Sequence, residues 1–187
     1  MIRQARHKSF CAFVLPVFAA TSFCISPNAA HSEECWKSTS PVPPGMKITE
    51  SSWRDADKGL PRHCLVTGNT GARTGTDGRT YTISFEIRLP VDWNGRFLHQ
   101  VNGGNDGVVV PALGDRPDGL ASGGRVPLAR GFAVLSSDSG HSGADPANKS
   151  HGLAAGAAFG LDPQARRDYG YAADMTLSPA AKMIIAR

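Results

Sequence analysis

The sequence predicts an α/β fold built on an incomplete sheet, and three features carry that expectation. Strand-like and helix-like patterns alternate from residue 80 onward, the order that gives a sheet covered by helices. Residues 132–137 are apolar almost without a break, as in a strand buried on both faces of a parallel sheet. The last helical pattern is still running at Arg187 with no strand after it, although a helix with one apolar face covers a crossover to a further strand. Of the 187 residues, 41% are hydrophobic, enough for one globular core. The 21 Gly and 13 Pro favour short elements joined by loops of special backbone geometry over a helical bundle.

Residues 1–30 read as a signal peptide. Arg3, Arg6, His7 and Lys8 form a basic start, an apolar run broken by Pro16 spans residues 10–25, and Ser26-Pro27-Asn28-Ala29-Ala30 offers a cleavage site after Ala30. The run is too short and interrupted for a comfortable membrane span. The mature protein is therefore expected to be secreted or periplasmic and free of the membrane, an uncleaved anchor being the alternative. Cleavage removes Arg3, Arg6 and Lys8 from the 20 basic residues and nothing from the 16 acidic ones, leaving an excess of one. No Lys/Arg stripe then suggests a nucleic-acid partner. Cys11 and Cys24 leave with the signal, while Cys35 and Cys64 form an even pair in an oxidising compartment and are expected to be disulfide-bonded. No C-x-x-C or H-x-x-x-H spacing accompanies them, so no metal is expected.

After the signal, residues 31–62 are rich in Ser, Thr and Pro with little periodicity and predict an irregular lead-in pinned by the disulfide. Residues 64–68 are short and β-prone. A Gly-rich turn region, 68–78, ends in the hairpin signal Asp77-Gly78. Residues 80–89 are the clearest strand: Tyr81, Ile83, Phe85, Ile87 and Leu89 alternate with polar neighbours. Residues 96–101 form a second strand that runs into Asn102-Gly103-Gly104. A short helix, 126–130, is capped by Gly131 and leads into the buried strand 132–137. Asp162-Pro163 starts a helix expected to run to about Leu177. At Ser178-Pro179 a break or sharp kink is expected, because a proline inside a helix costs about 3 kcal/mol.

Five motifs, Trp93-Asn94-Gly95-Arg96-Phe97-Leu98, Asn102-Gly103-Gly104, Leu128-Ala129-Arg130-Gly131-Phe132-Ala133-Val134, Ser137-Asp138-Ser139-Gly140-His141-Ser142-Gly143 and Phe159-Gly160-Leu161-Asp162-Pro163, occur in this order. As a set they resemble the tannase and feruloyl esterase family, over residue 35 to the C-terminus. The resemblance implies an α/β-hydrolase fold with an inserted lid domain. It also implies a serine carboxylic-ester hydrolase for small-molecule esters of phenolic or other aromatic acids, with no cofactor. In that family the nucleophile sits in a Gly-Cys-Ser-x-Gly-Gly elbow after the next strand, the acid and the histidine much later. The sequence has no Gly-x-Ser-x-Gly. Nucleophile, acid and base are therefore expected beyond residue 187, and residues 31–187 are read as the N-terminal portion of the hydrolase domain, inactive alone.

What the chain can supply is an oxyanion hole. The carbonyl oxygen of an ester becomes negative in the tetrahedral intermediate, and a backbone N–H held in place can stabilise it by about 3 kcal/mol. Gly103 and Gly104 are the candidate donors, Gly104 preferred, because they follow the second strand, where α/β-hydrolases place the first donor. A plain β-turn is the competing reading. Asp138, Ser139 and His141 lie too close together in one loop to form a triad. Asp138 and His141 are read as supporting the floor of the site, His141 through hydrogen bonds within its loop. Trp93 and Phe97 could offer an aromatic platform but are more often core. Asn148-Lys149-Ser150 matches a glycosylation acceptor, and Asp106, Asp115 and Asp118 lack a calcium-loop spacing. The alternative from another class is a non-catalytic secreted β-rich ligand-binding module that uses the Trp and Tyr residues.

Overall fold

The computed structural model describes residues 35–36, 42–101, 104–115 and 125–186. The signal-peptide reading of residues 1–30 lies outside them, as does Gly103. The described chain forms a five-stranded mixed sheet in the order β1-β2-β3-β5-β4, where β1 is Met46–Arg54, β2 His63–Thr74, β3 Thr80–Pro90, β4 Phe97–Gln100 and β5 Ala133–Ser137. β1, β2, β3 and β5 pair antiparallel in turn, and β4 joins β5 in parallel with Gln100 opposite Ser136. The parallel layer expected from the sequence is thus one strand pair grafted onto an antiparallel meander.

β3 follows its alternation: Tyr81, Ile83, Phe85 and Ile87 are buried, and their polar partners are less so. All five residues of β5 are buried, because β5 lies between β3 and β4 and both of its faces are covered. Ala133 and Leu135 belong to the larger core with Ile83, Phe85 and Ile87, whereas Val134 packs on the opposite face against Ala112 and Leu128.

Two sequence expectations need correcting here. Part of the lead-in, Met46–Arg54, is a regular strand paired with β2. An extra residue at Thr49 shifts its register between Ile48 and Glu50, and such a bulge erases the period-two signal. β2 also continues through the region read as a Gly-rich turn. Gly68 is not a turn residue but a point of close approach, where a Cβ would lie 2.5 Å from the Lys47 carbonyl oxygen and 2.6 Å from Phe85 Cζ. The turn itself is confined to residues 75–78, closed by hydrogen bonds from Gly75 N–H to Arg79 and from Gly78 N–H to Gly75, with Gly78 at φ +79°. The expected hairpin signal is therefore in its place.

Cys35 and Cys64 form the disulfide, tying the segment before β1 to β2 across 29 positions. Closing a loop of that size contributes about 3 kcal/mol in chain-entropy terms. The 3-10 turn Pro127–Arg130 ends on Gly131 in the left-handed region, φ +86°, the cap anticipated from sequence. Asp145 and Pro146 open an irregular 3-10 run, Pro146–Leu161, interrupted at Gly152.

Asp162 accepts a hydrogen bond from Ala165 N–H at 2.7 Å and so caps helix α1, Pro163–Arg167. A wide π-turn, Asp168–Ala172, follows and passes directly into α2, Ala173–Ile185. Of the break or sharp kink expected at Pro179, the break is absent, since Pro179 lies inside α2. The carbonyl that loses its partner belongs to Met175, which is 70% exposed, so water can satisfy it. α2 lays Leu177, Ala181, Ile184 and Ile185 on the sheet face formed by Val66, Phe85, Ile87 and Leu135.

Candidate active site

Because β4 and β5 are parallel, the loops that follow them leave the same rim of the sheet. The loop after β4 brings Gly104, at φ +67°, to that rim, where no atom lies within 4 Å of the position a Cβ would take. The loop after β5 contains Ser139 at φ +55° and Gly140 at φ +85°, so the chain doubles back immediately after Asp138.

The two loops touch through glycine backbone. Gly143 N–H donates to the Gly107 carbonyl at 3.0 Å. A Cβ on Gly143 would collide with the Asp106 carbonyl, and one on Gly107 with Gly143 N and the ring of His141. Two further bonds fasten the outward part of the first loop: Ala112 N–H donates to Glu86 Oε1 at 2.8 Å and Gly114 N–H to Gln100 Oε1 at 2.7 Å.

Asp138 is buried at the end of β5, and its Oδ1 accepts from Ser84 N–H at 3.0 Å and Gly140 N–H at 2.9 Å. Burial pushes its carboxyl above the ordinary carboxylate range, and the N–H groups of Gly140 and Ser84 pull it back down. The carboxylate thus ties the loop's first turn to β3.

His141 is 3% exposed, and neither ring nitrogen makes a well-aligned hydrogen bond among the described residues, although the backbone of Asn105 and of Ser139, in its own loop, lies close enough to favour the protonated ring. The faces of the ring are covered by aromatic contacts. His141 stacks on Phe159 at 3.8 Å between centroids and meets Tyr169 edge-on at 5.5 Å. Burial lowers its pKa, while the Asn105 backbone and the Asp106 carboxylate act in the opposite sense.

Tyr169 carries this cluster back to the first loop: its hydroxyl donates to the Gly104 carbonyl at 3.0 Å, spanning 65 positions. Tyr169 and Gly107 were not singled out from sequence, and Phe159 and Gly143 entered only as members of motifs, with no role in the site. The available signal was the density of glycine in both loops, which marks close backbone approach.

A second constellation has the composition of a triad but not its geometry. His99 on β4 meets Ser178 Oγ at 2.8 Å through Nδ1, and Asp174 Oδ1 lies 3.4 Å from Nε2 without forming a hydrogen bond. Ser178 lies in the middle of α2, where its peptide N–H belongs to the helix ladder and cannot face a developing oxyanion. The three residues fasten β4 to α2.

Of the other sequence candidates, Trp93 is 38% exposed and donates from Nε1 to the Arg96 carbonyl at 2.8 Å, so it is not core. Phe97 is partly buried against the main core. Asn148, the glycosylation candidate, is buried, donates to the Ser142 carbonyl at 3.1 Å and accepts from Arg79 at 3.0 Å. Among the described residues no three His, Cys, Asp or Glu side chains converge as metal ligands. No helix among them is long and apolar enough to cross a membrane.

The family model for tannase and feruloyl esterase matches residues 64–187. The chain is 34% identical over 175 residues to a mono(2-hydroxyethyl) terephthalate hydrolase from Piscinibacter sakaiensis, covering 90% of this chain and 27% of that protein. It is 30% identical over 133 residues to a probable feruloyl esterase B-2 from Aspergillus flavus, covering 70% of this chain and 23% of that protein. It also aligns with the crystal structure of an esterase from Aspergillus oryzae, with a TM-score of 0.49 at 18% identity, over 75% of this chain and 26% of that one. The chain therefore spans about a quarter of the length of these proteins. By the match over residues 64–187, it belongs to the tannase and feruloyl esterase family.

Proposed function

We propose that this chain supplies the early sheet and the oxyanion loop of a secreted or periplasmic serine carboxylic-ester hydrolase acting on esters of phenolic or other aromatic acids. The observation that carries the reading is the Gly104 turn at the carboxyl rim of the β4/β5 parallel pair, clamped at Gly107 by the loop after β5. Acyl transfer needs backbone N–H groups fixed before the reaction begins, and a glycine turn held by glycine-to-glycine contact provides a backbone that a flat acyl group can approach. In this reading the strand bearing the serine pairs with β4, whose outer edge has no partner strand among the described residues. The 187-residue chain alone is inactive.

The relatives are named for terephthalate and feruloyl esters, which makes aryl carboxylic esters the substrates to try. The test is to assay the full-length secreted protein on methyl ferulate and on mono(2-hydroxyethyl) terephthalate, with the 187-residue chain in parallel. Turnover by the long form alone is expected. A folded long form that cleaves no aryl ester, or hydrolysis by the short chain, overturns the reading. The mass of the exported protein tests the signal peptide, with cleavage after Ala30 expected.

A further inference from the structure

We propose that Tyr169 is a positioning residue for the esterase reaction, holding the Gly104–Asn105 peptide so that the N–H of Asn105, one residue beyond the Gly104 donor expected from sequence, faces the substrate carbonyl. The inference rests on the esterase reading above and adds a residue from the helical layer to it.

The Tyr169 hydroxyl donates to the Gly104 carbonyl at 3.0 Å. In a trans peptide the C=O and the following N–H point in opposite directions, so fixing the Gly104 carbonyl toward Tyr169 fixes the Asn105 N–H away from it. Gly104 needs such an anchor. Its φ of +67° is a conformation that only glycine adopts readily, and nothing packs where its side chain would be. Three residues on, Gly107 is held by Gly143 N–H. The turn is thereby gripped at both ends, by backbone on one side and by a phenol on the other.

The phenol is itself held. Its ring lies 5.1 Å from Phe159 and 5.5 Å from His141, and those two stack at 3.8 Å. Tyr169 belongs to the π-turn Asp168–Ala172, a wide turn of the kind that recurs at functional sites. The preceding residue, Asp168, is buried and faces Arg73 at 3.6 Å and Gln164 at 2.8 Å. Asp168 locks the turn inward while Tyr169 reaches outward. A hydroxyl donated to a peptide carbonyl also polarises that peptide and makes its N–H a stronger donor.

Tyr169→Phe in the full-length esterase tests this, because it keeps the ring and its aromatic neighbours and removes the hydroxyl. Losing one oxyanion donor outright costs a hundredfold or more, so a loosened donor is expected to lower kcat about tenfold on methyl ferulate. KM and the melting temperature should stay at the wild-type values. Affinity for an arylboronic acid, which forms a tetrahedral adduct with the serine, should fall by the same factor as kcat. Tyr169→Ala, which also removes the ring, should in addition lower the melting temperature. A Tyr169→Phe enzyme with wild-type kcat and boronate affinity, or one whose loss lies wholly in KM or thermal stability, overturns the proposal. A wild-type protein that is inactive on every aryl ester defeats the esterase reading itself, an outcome distinct from an active wild type indifferent to Tyr169→Phe.

Discussion

Gly143 and Gly107 are joined backbone to backbone, the N–H of one donating to the carbonyl of the other at 3.0 Å, and this contact brings together the loops leaving β4 and β5. Neither position has room for a methyl group, and at Gly143 the obstacle is the Asp106 carbonyl, a backbone atom that cannot swing aside. Gly143→Ala should therefore part the loops. The expected loss is about 1–3 kcal/mol of stability, together with, on the esterase function proposed above, at least a tenfold fall in kcat as the Gly104 turn drifts. Urea denaturation and steady-state kinetics on the full-length protein measure the two effects. An alanine variant with unchanged kcat would show that the loop contact does not set the site.

Asp162 connects three parts of the fold. Its carboxylate accepts from Arg73 at 2.6 Å, from Thr76 N–H at 2.9 Å and from Ala165 N–H at 2.7 Å, joining the β2–β3 hairpin to the start of α1. Burial by itself would raise its pKa, but the Arg73 guanidinium and the two N–H groups outweigh it and hold the carboxyl well below the ordinary range. A depressed carboxylate contributes stability that is fully present above its unfolded value near 3.8 and is lost as pH falls below it. Asp162→Asn should cost about 1–3 kcal/mol at neutral pH, since it removes the shorter of the two carboxylate contacts of Arg73 and leaves it only Asp168 at 3.6 Å. The gap between the wild type and the variant should narrow below pH 3.8. A constant gap across that range would mean that the carboxylate acts as a neutral hydrogen-bond acceptor only.

What could be read from sequence was what depends on near neighbours. The alternation of β3, the apolar run of β5 and the Asp162-Pro163 cap each involve residues a few positions apart, and each is found. β1 was hidden because the extra residue at Thr49 breaks its period. Gly68 was read as a turn because its reason for being glycine is Phe85 on the neighbouring strand. The same division runs through the site. Gly104, Asp138 and His141 could be nominated because each closely follows a strand, whereas Tyr169, Ser84 and Phe159, which contact them, are distant in the chain. Tyr169 reaches Gly104 across 65 positions, and no local pattern encodes such a contact. Pro179 shows the opposite failure: a strong local rule gave way because the carbonyl it orphans belongs to a well-exposed residue.

Asn148 illustrates how burial cancels a motif. Its side chain donates to the Ser142 carbonyl and accepts from Arg79, so it braces the 3-10 run against the loop after β5 and the β3 hairpin. An oligosaccharide there would have to displace both bonds. Expression in a glycosylating host should give an unmodified Asn148, checked by peptide mass spectrometry. A glycan found on the folded protein would show that this segment is accessible before it packs.

Acid should weaken the fold well before the carboxylates protonate. His63, His99 and His141 all have pKa values lowered from 6.5, in each case chiefly by burial, with the Pro61 carbonyl, Asp174 and the Asn105 backbone respectively acting against the shift. A histidine whose folded pKa is lowered binds protons more readily in the unfolded chain, so stability present above 6.5 declines as pH falls through that value toward the folded pKa. The melting temperature should therefore drop between about pH 7 and pH 5. His141→Leu removes one of the three and, since the ring makes no well-aligned hydrogen bond, should make that dependence shallower. Thermal melts of both proteins across the range provide the measurement, with an NMR titration of His141 as an independent reading of its pKa. Equal slopes for the two proteins, or a His141 that titrates at the ordinary 6.5, would show that the ring is solvated in solution and that the aromatic stack on Phe159 is open.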